Sequence, residues 1–291
     1  MSQHQWEKVL WKRQPYPDNH VPNSFLSSLR RNPNFRPYTY WPLVLGSCAI
    51  TQHLSAIFIF IVVFVRLLDH TLDPRLLVVI SATMFLMGYA VWELLDYYWS
   101  EVGQNIADRR AKTMKASILV FLALTALAPI LRTLTASTSS DSIWALSACL
   151  FILNAALADY SSVRLGGRVR ERLTSVLSMN AAVSSAVVLA SRLRDDLSVF
   201  ALTLFSIQLF SLFPILRHRL QATSGAIQIG LSLALSSLSL GLTLRISTTI
   251  TYIFLGVLTS VTFVAPAILV WAQKYKNEIR GPWDAATPKV N

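Results

Sequence analysis

Charge is scarce in this sequence, and acid is scarcer still. Of 291 residues only 14% are Asp, Glu, Lys or Arg, with 15 acids against 26 Lys and Arg. Soluble domains carry about 25% charge, so the composition argues against one. The only two cysteines, Cys48 and Cys149, both fall inside long apolar runs, which excludes a disulfide framework. No Asn-x-Ser/Thr glycosylation sequon occurs. Five histidines are scattered without ligand spacing, so neither a metal site nor a cofactor is expected. Also missing are a Gly-rich phosphate loop, an Asp-x-Asp pair for a metal-bound nucleotide sugar, a Gly-x-Ser-x-Gly elbow and a His-Glu-x-x-His helix. Residue types alone therefore declare no catalytic chemistry. The first 36 residues are polar, aromatic and basic, so no cleavable signal peptide is expected.

Long uncharged runs are what the chain does have. It is 53% hydrophobic, with a mean hydropathy of +0.48. Between Arg36 and Arg66 lie 29 residues with no charge, and Leu43 to Val65 alone supplies 23 of them. That is enough helix to cross a hydrocarbon core of about 30 Å. Tyr38, Tyr40 and Trp41 open the run with the side chains that settle at a bilayer interface. Seven further runs follow: Leu76–Trp92, Ala116–Leu131, Ser142–Ala158, Leu173–Ser191, Leu197–Leu216, Gln221–Leu244 and Ile246–Gln273. The predicted fold is all-α, a polytopic transmembrane helix bundle of about eight spans. Seven is the alternative count, because the runs of 16 or 17 residues would also suit a buried soluble helix.

An even count puts both termini on one side of the membrane. On that side lie 20 of the 26 Lys and Arg, in the N-terminal segment, the loops after spans 2, 4 and 6, and the C-terminus. The opposite loops hold only Arg66, Arg75, Arg132, Arg192, Arg194 and Arg245. By the positive-inside rule both termini are expected in the cytosol. The net charge of +11 is thus explained by topology, and no nucleic-acid partner is implied. Three regions follow: a cytosolic segment 1–42, a membrane domain 43–272 and a cytosolic tail 273–291. The first reads as two short amphipathic pieces around Trp6, Val9, Leu10 and Phe25, Leu26, Leu29, separated by Pro15, Pro17 and Pro22. They would lie on lipid headgroups or dock against another protein.

Polar residues inside spans are functional candidates by default. They are Gln52, His53, Glu93, Asp96, Asn154, Asp159, Asn180 and Gln208. The plainer reading is that the amides bond across helices and that Glu93 and Asp96 pair with Arg109 or Arg110 at the cytosolic interface. Small residues crowd spans 5 and 7, where backbones can approach closely. Pro129, Pro214 and Pro266 are expected to kink spans 3, 6 and 8. Pro-Ile-Leu-Arg occurs at 129–132 and again at 214–217. An inverted transporter repeat would leave such a trace, and so would chance.

Several stretches resemble a known family. Trp6-Glu-Lys-Val-Leu-Trp-Lys-Arg-Gln-Pro-Tyr-Pro-Asp-Asn19 is similar to the N-terminal signature of PIG-C proteins, and Phe25-Leu-Ser-Ser-Leu-Arg-Arg-Asn32 with Tyr38-Thr-Tyr-Trp41 continues it. Leu131 to Ser147 is similar to that family's loop between spans 3 and 4. Leu177-Ser-Met-Asn180, Leu189-Ala-Ser-Arg-Leu193 and Gly281-Pro-Trp-Asp284 extend the likeness over nearly the whole chain. The basic loop Tyr160–Arg172 is its least typical part. The resemblance implies a multi-pass endoplasmic reticulum protein. It implies a subunit of the complex that moves N-acetylglucosamine from UDP-GlcNAc to phosphatidylinositol, the first step of GPI-anchor synthesis. In that family the glycosyltransferase fold belongs to another subunit.

On that reading the chain is a scaffold that helps present phosphatidylinositol, with membrane lipid and the other subunits as its partners. The expected anionic-lipid surface is Arg109, Arg110, Lys112 and Lys115 with Arg164, Arg168, Arg170 and Arg172, at about 1 kcal/mol per cation. The plainer reading of these charges is that they only enforce topology. Expected docking residues are Trp6, Trp11, Gln14, Pro15, Pro17, Asp18 and Asn19, with Gly281, Pro282, Trp283 and Asp284. Two rivals remain: a polytopic transporter of lipid or small solute, and an enzyme in its own right with Glu93 or Asp96 as base.

Overall fold

The computed structural model describes residues 13, 15, 17, 37–99, 106–135, 137–160, 173–221 and 225–276. Among these there are eight helical rods and no strand. They are α1 Tyr40–Leu68, α2 Pro74–Trp99, α3 Ile106–Thr133, α4 Ser140–Leu157 and α5 Leu173–Ala190. Then α6 comprises Asp196–Ile207, Gln208–Leu212 and Phe213–Gln221, and α7 is Gly225–Leu244. The last, α8, comprises Thr248–Thr259, Ser260–Val264 and Ala265–Lys276. Seven are long and apolar enough to cross a membrane; α5, whose apolar part is Val176–Ala190, falls short of that measure. Eight helices stand at the eight uncharged runs, and the seven-span alternative rests on α5 alone.

Local chemistry sets several boundaries. Pro74 opens α2, where its missing N–H costs nothing. The Ser139 hydroxyl accepts from the Ser142 N–H and so caps α4. At the end of α1, Thr71 N–H returns to Arg66 O and His70 N–H to Leu67 O. That Schellman turn holds His70 at a φ of 55°. Two of the three expected kinks take a specific form. The Phe213 N–H reaches back five residues to Gln208 O, and the Ala265 N–H to Ser260 O. Each wide π turn thus ends one residue before a proline, Pro214 or Pro266, whose ring would clash with a regular preceding turn. Pro129 lies inside α3 with no such turn.

One of the two most apolar helices, α1, is wrapped by protein. In α1 72% of the most apolar stretch is buried, against 50% in α6 and 11% in α2, α3 and α8. Phe60 is fully buried, with ring centroids 5.7 Å from Phe151 of α4 and 5.3 Å and 6.4 Å from Phe210 and Phe205 of α6. Phe64 meets Trp144 of α4 edge-on, and Phe58 stacks on Phe254 of α8 at 3.8 Å. Outward from this core, Leu86, Leu119, Ile152 and Leu233 are each at least 65% exposed. Apolar surface on that scale is stable only where lipid replaces water.

Contacts also fix which helix ends share a side. At one end Trp92 meets Arg219, Glu93 meets Arg110, and Arg217 meets Ala49. At the other, Arg66 donates to Leu242 O and Arg192 to Thr138 O, while Arg132 pairs with Asp196. The helices therefore alternate in direction, which is the alternation that the count of positive charges assumed. Arg132 also donates to Arg194 O in the loop before α6, so three cations at the sparse end are held by backbone carbonyls of α7 or of loops. The described residues divide into two compact units, one within Trp41–Pro266 and one drawn from 1–40 and 267–291. Inside the smaller unit the Gln273 amide pairs both ways with the Tyr38 backbone, at 2.7 and 2.8 Å.

Candidate functional site

A polar seam runs along α1. Ser47, Thr51, Gln52, His53 and Ser55 are all buried, and each has a partner on another helix. Thr51 bonds Thr262 of α8 at 2.8 Å. Gln52 Nε2 donates to Gln228 O and Ser232 Oγ of α7, at 3.0 and 2.9 Å. Ser55 meets Ser236 of α7. Helices in lipid gain no hydrophobic drive toward each other, so such bonds, about 1 kcal/mol each, help choose neighbours.

The densest part of the seam centres on Asn154. Its Oδ1 lies 2.7 Å from His53 Nε2, and its Nδ2 donates to both Ser178 O and Ser178 Oγ at 2.9 Å. Ser178 Oγ donates in turn to Asn154 O at 2.7 Å. Because an amide oxygen only accepts, the His53 proton sits on Nε2. One side chain on α4 therefore fixes α1 and α5. An amide in the middle of this chain cannot pass a proton on, so the arrangement is a lock and not a relay. Asn180, two residues along α5, faces outward and is exposed. Gln208 Oε1, in the π turn of α6, is buried without a partner among the described residues.

Arg217 corrects the sequence reading. The charge count places it in a loop after span 6, but α6 continues to Gln221 and turns Arg217 inward until it is 2% exposed. A cation on a lipid-spanning helix is costly unless it is solvated by protein. Here Nη1 donates to Ala49 O at 3.0 Å, the guanidinium lies 5.8 Å from the Tyr160 ring, and the Asp159 carboxylate attracts it. Its Nε is buried with no partner among the described residues. Tyr160, just past α4, also meets His53 edge-on at 5.7 Å and donates to Ala155 O at 2.7 Å. Burial pushes its phenol up to about 12, with Arg217 opposing, so it stays neutral. Sequence reasoning misses Tyr160, Ser178 and Arg217 as site residues. The available signal is an arginine one turn beyond Phe213, on a helix with no glycine to end it.

The expected lipid surface is only partly described. Arg110 Nη2 pairs with Glu93 at 2.7 Å, and the Tyr89 hydroxyl donates to the same carboxylate at 2.8 Å. The expected pairing of Glu93 with an arginine of this cluster is thus present. Lys112 and Lys115 are exposed on α3. Arg219 lies 3.4 Å above the Trp92 ring. Side chains of Asp96 and Arg109, and all of Arg164, Arg168, Arg170 and Arg172, lie outside the described residues. So do Trp6, Trp11, Gln14, Asp18, Asn19, Gly281, Pro282, Trp283 and Asp284, while Pro15 and Pro17 are exposed. No group of three or more metal-ligating side chains occurs among the described residues. The two Pro-Ile-Leu-Arg copies are not equivalent: Arg132 is exposed and pairs with Asp196, whereas Arg217 is buried against Ala49.

Comparison with known proteins covers nearly the whole chain. A family model described as GPI2, phosphatidylinositol N-acetylglucosaminyltransferase, matches residues 6–284. The chain is 37% identical to the phosphatidylinositol N-acetylglucosaminyltransferase GPI2 subunit of Schizosaccharomyces pombe, covering 98% of this chain and 87% of that one. It is 34% identical to a human phosphatidylinositol N-acetylglucosaminyltransferase subunit, covering 98% and 93%. The rat counterpart of that human protein is also 34% identical, over 99% and 94%. No solved structure matches.

Proposed function

The chain belongs to the GPI2 family of phosphatidylinositol N-acetylglucosaminyltransferase subunits, and from that premise we propose how it serves the enzyme. It is a membrane subunit of the complex that moves N-acetylglucosamine from UDP-GlcNAc to phosphatidylinositol, opening GPI-anchor synthesis. Other subunits of that complex are its partners. Its own part is that of a scaffold in the endoplasmic reticulum membrane, with termini and basic loops in the cytosol, while catalysis belongs to a separate glycosyltransferase chain. The observation behind the scaffold reading is Asn154, whose amide joins His53 and Ser178 and so ties three helices together where a relay would need a titratable group.

The basic face of α3 supports a second part, presentation of phosphatidylinositol. Arg110 is engaged by Glu93, whereas Lys112 and Lys115 are exposed and have no ion pair among the described residues. Arg109, Arg164, Arg168, Arg170 and Arg172 belong to the same proposed surface. At about 1 kcal/mol per cation, removing both lysines costs about 2 kcal/mol of lipid attraction, a factor of up to about 30. In the assembled transferase, Lys112→Gln with Lys115→Gln should raise KM for phosphatidylinositol at least fivefold and leave KM for the nucleotide sugar alone. An unchanged lipid KM refutes the presentation role. The Trp6–Asn19 and Gly281–Asp284 motifs are assigned to subunit docking, and deleting residues 1–20 should then release partner subunits.

A further inference from the structure

We infer that the exposed face of α7 near its Arg245 end is the seat of a transmembrane helix from another subunit, one carrying a carboxylate at that end. A shallow, open groove of about 660 Å³ lies there, lined by Ala234, Ser237 and Gly241 of α7 with Leu238 and Leu242 beside them, and headed by Arg66 and Arg245. Ala234, Ser237, Gly241 and Arg245 follow at helical spacing and share one face. All four are exposed.

Among the described residues, no neighbour requires Gly241 to lack a side chain. A Cβ added at Gly241 would meet no atom within 4 Å, and the same holds one turn below Ala234, at Gly230. The Ser237 hydroxyl turns back to Ala234 O at 3.0 Å, so it offers bulk no greater than its size and no polar atom to lipid. Glycine is among the poorest helix formers, and large apolar side chains, such as Leu233 next to Ala234, serve a lipid-facing surface better. A small face has a use where a second backbone comes close. Lipid tails need no such recess.

The head of the groove narrows the chemistry of the occupant. Arg66 donates to Leu242 O at 3.1 Å, which holds its guanidinium over α7. Arg245 is exposed beside it, and no acidic side chain lines the groove. Two cations at one end of an otherwise neutral recess call for an anion, and a helix that fills the recess brings it as an Asp or Glu in its last turn or as a chain terminus. The inference rests on the subunit reading above, since it needs a partner helix.

The test uses the assembled complex with a photoreactive phenylalanine analogue at Ser237. It is expected to crosslink to the transmembrane segment of another transferase subunit, and Gly241→Leu should reduce recovery of that subunit at least fivefold while this chain stays folded. Arg245→Glu should do the same, with recovery restored by the reversed charge on the partner. Adducts of lipid alone, adducts of a second copy of this chain, or a Gly241→Leu complex that keeps every subunit would overturn the inference. In each of those cases the complex is still assembled, so the scaffold reading stands. A wild-type chain that recovers no other subunit would instead overturn both.

Discussion

Replacing Asn154 with alanine removes the one side chain among the described residues that hydrogen-bonds two other helices at once. Three bonds disappear, to His53 Nε2, Ser178 O and Ser178 Oγ. Bonds between membrane helices average about 0.6 kcal/mol and reach about 1.7, so three give roughly 2–4 kcal/mol once partial repair is allowed for. The position is 2% exposed, so water cannot enter to satisfy the stranded His53 N–H, which keeps the cost at the upper end of that range. On the scaling of about 2–4 °C per kcal/mol, Tm of the detergent-purified chain should fall by roughly 5–15 °C. Thermal unfolding followed by size-exclusion fluorescence reads this directly. His53→Leu together with Asn154→Leu strands fewer groups and should lose less than the two single changes combined. A fall of under about 2 °C for Asn154→Ala, or strict additivity in the pair, would show that the network does not hold the bundle.

Arg217→Met leaves the Asp159 charge behind and frees α6 from Ala49. It should lower stability by about 1–3 kcal/mol, with Arg217→Lys in between because a single ammonium replaces a planar fork; equal Tm for all three chains would refute the tie. Tyr160 gives a pH signature. Its folded pKa of about 12 lies above the usual value near 10. The folded state therefore binds the proton more tightly, and the stabilisation is whole below pH 10 and lost as pH rises through 12. Tm of the wild type should fall more than that of Tyr160→Phe between pH 9.5 and 11.5, and parallel falls would contradict the assignment.

Much of this architecture is legible in the sequence because charge is so costly in lipid. Each uncharged run forms a helix, and the alternation of positive charge matches the side on which Trp92, Arg110, Arg217 and Ala49 meet. The interior is harder to read. Hydropathy measures only how poorly a stretch suits water, so α1 looks like any other span although protein, not lipid, surrounds it. Its difference is written in Ser47, Thr51, Gln52, His53 and Ser55, whose partners lie more than 100 residues away for Gln52 and His53. Arg217 is misread for a related reason. A run counted by charge ends at its first charge, but a helix ends only where its backbone bonding stops, and α6 carries its arginine inward. Partner choice for Asn180 and Gln208 is equally closed to sequence reasoning, since neither has an interhelical bond among the described residues.

The division of labour in this complex is tested most directly by assaying GlcNAc transfer from labelled UDP-GlcNAc to phosphatidylinositol with two preparations in the same liposomes. One holds this chain purified alone, the other the complex that it pulls down in mild detergent. The account predicts transfer by the complex and none above background by the lone chain. Turnover by the lone chain at a rate comparable to the complex would contradict it.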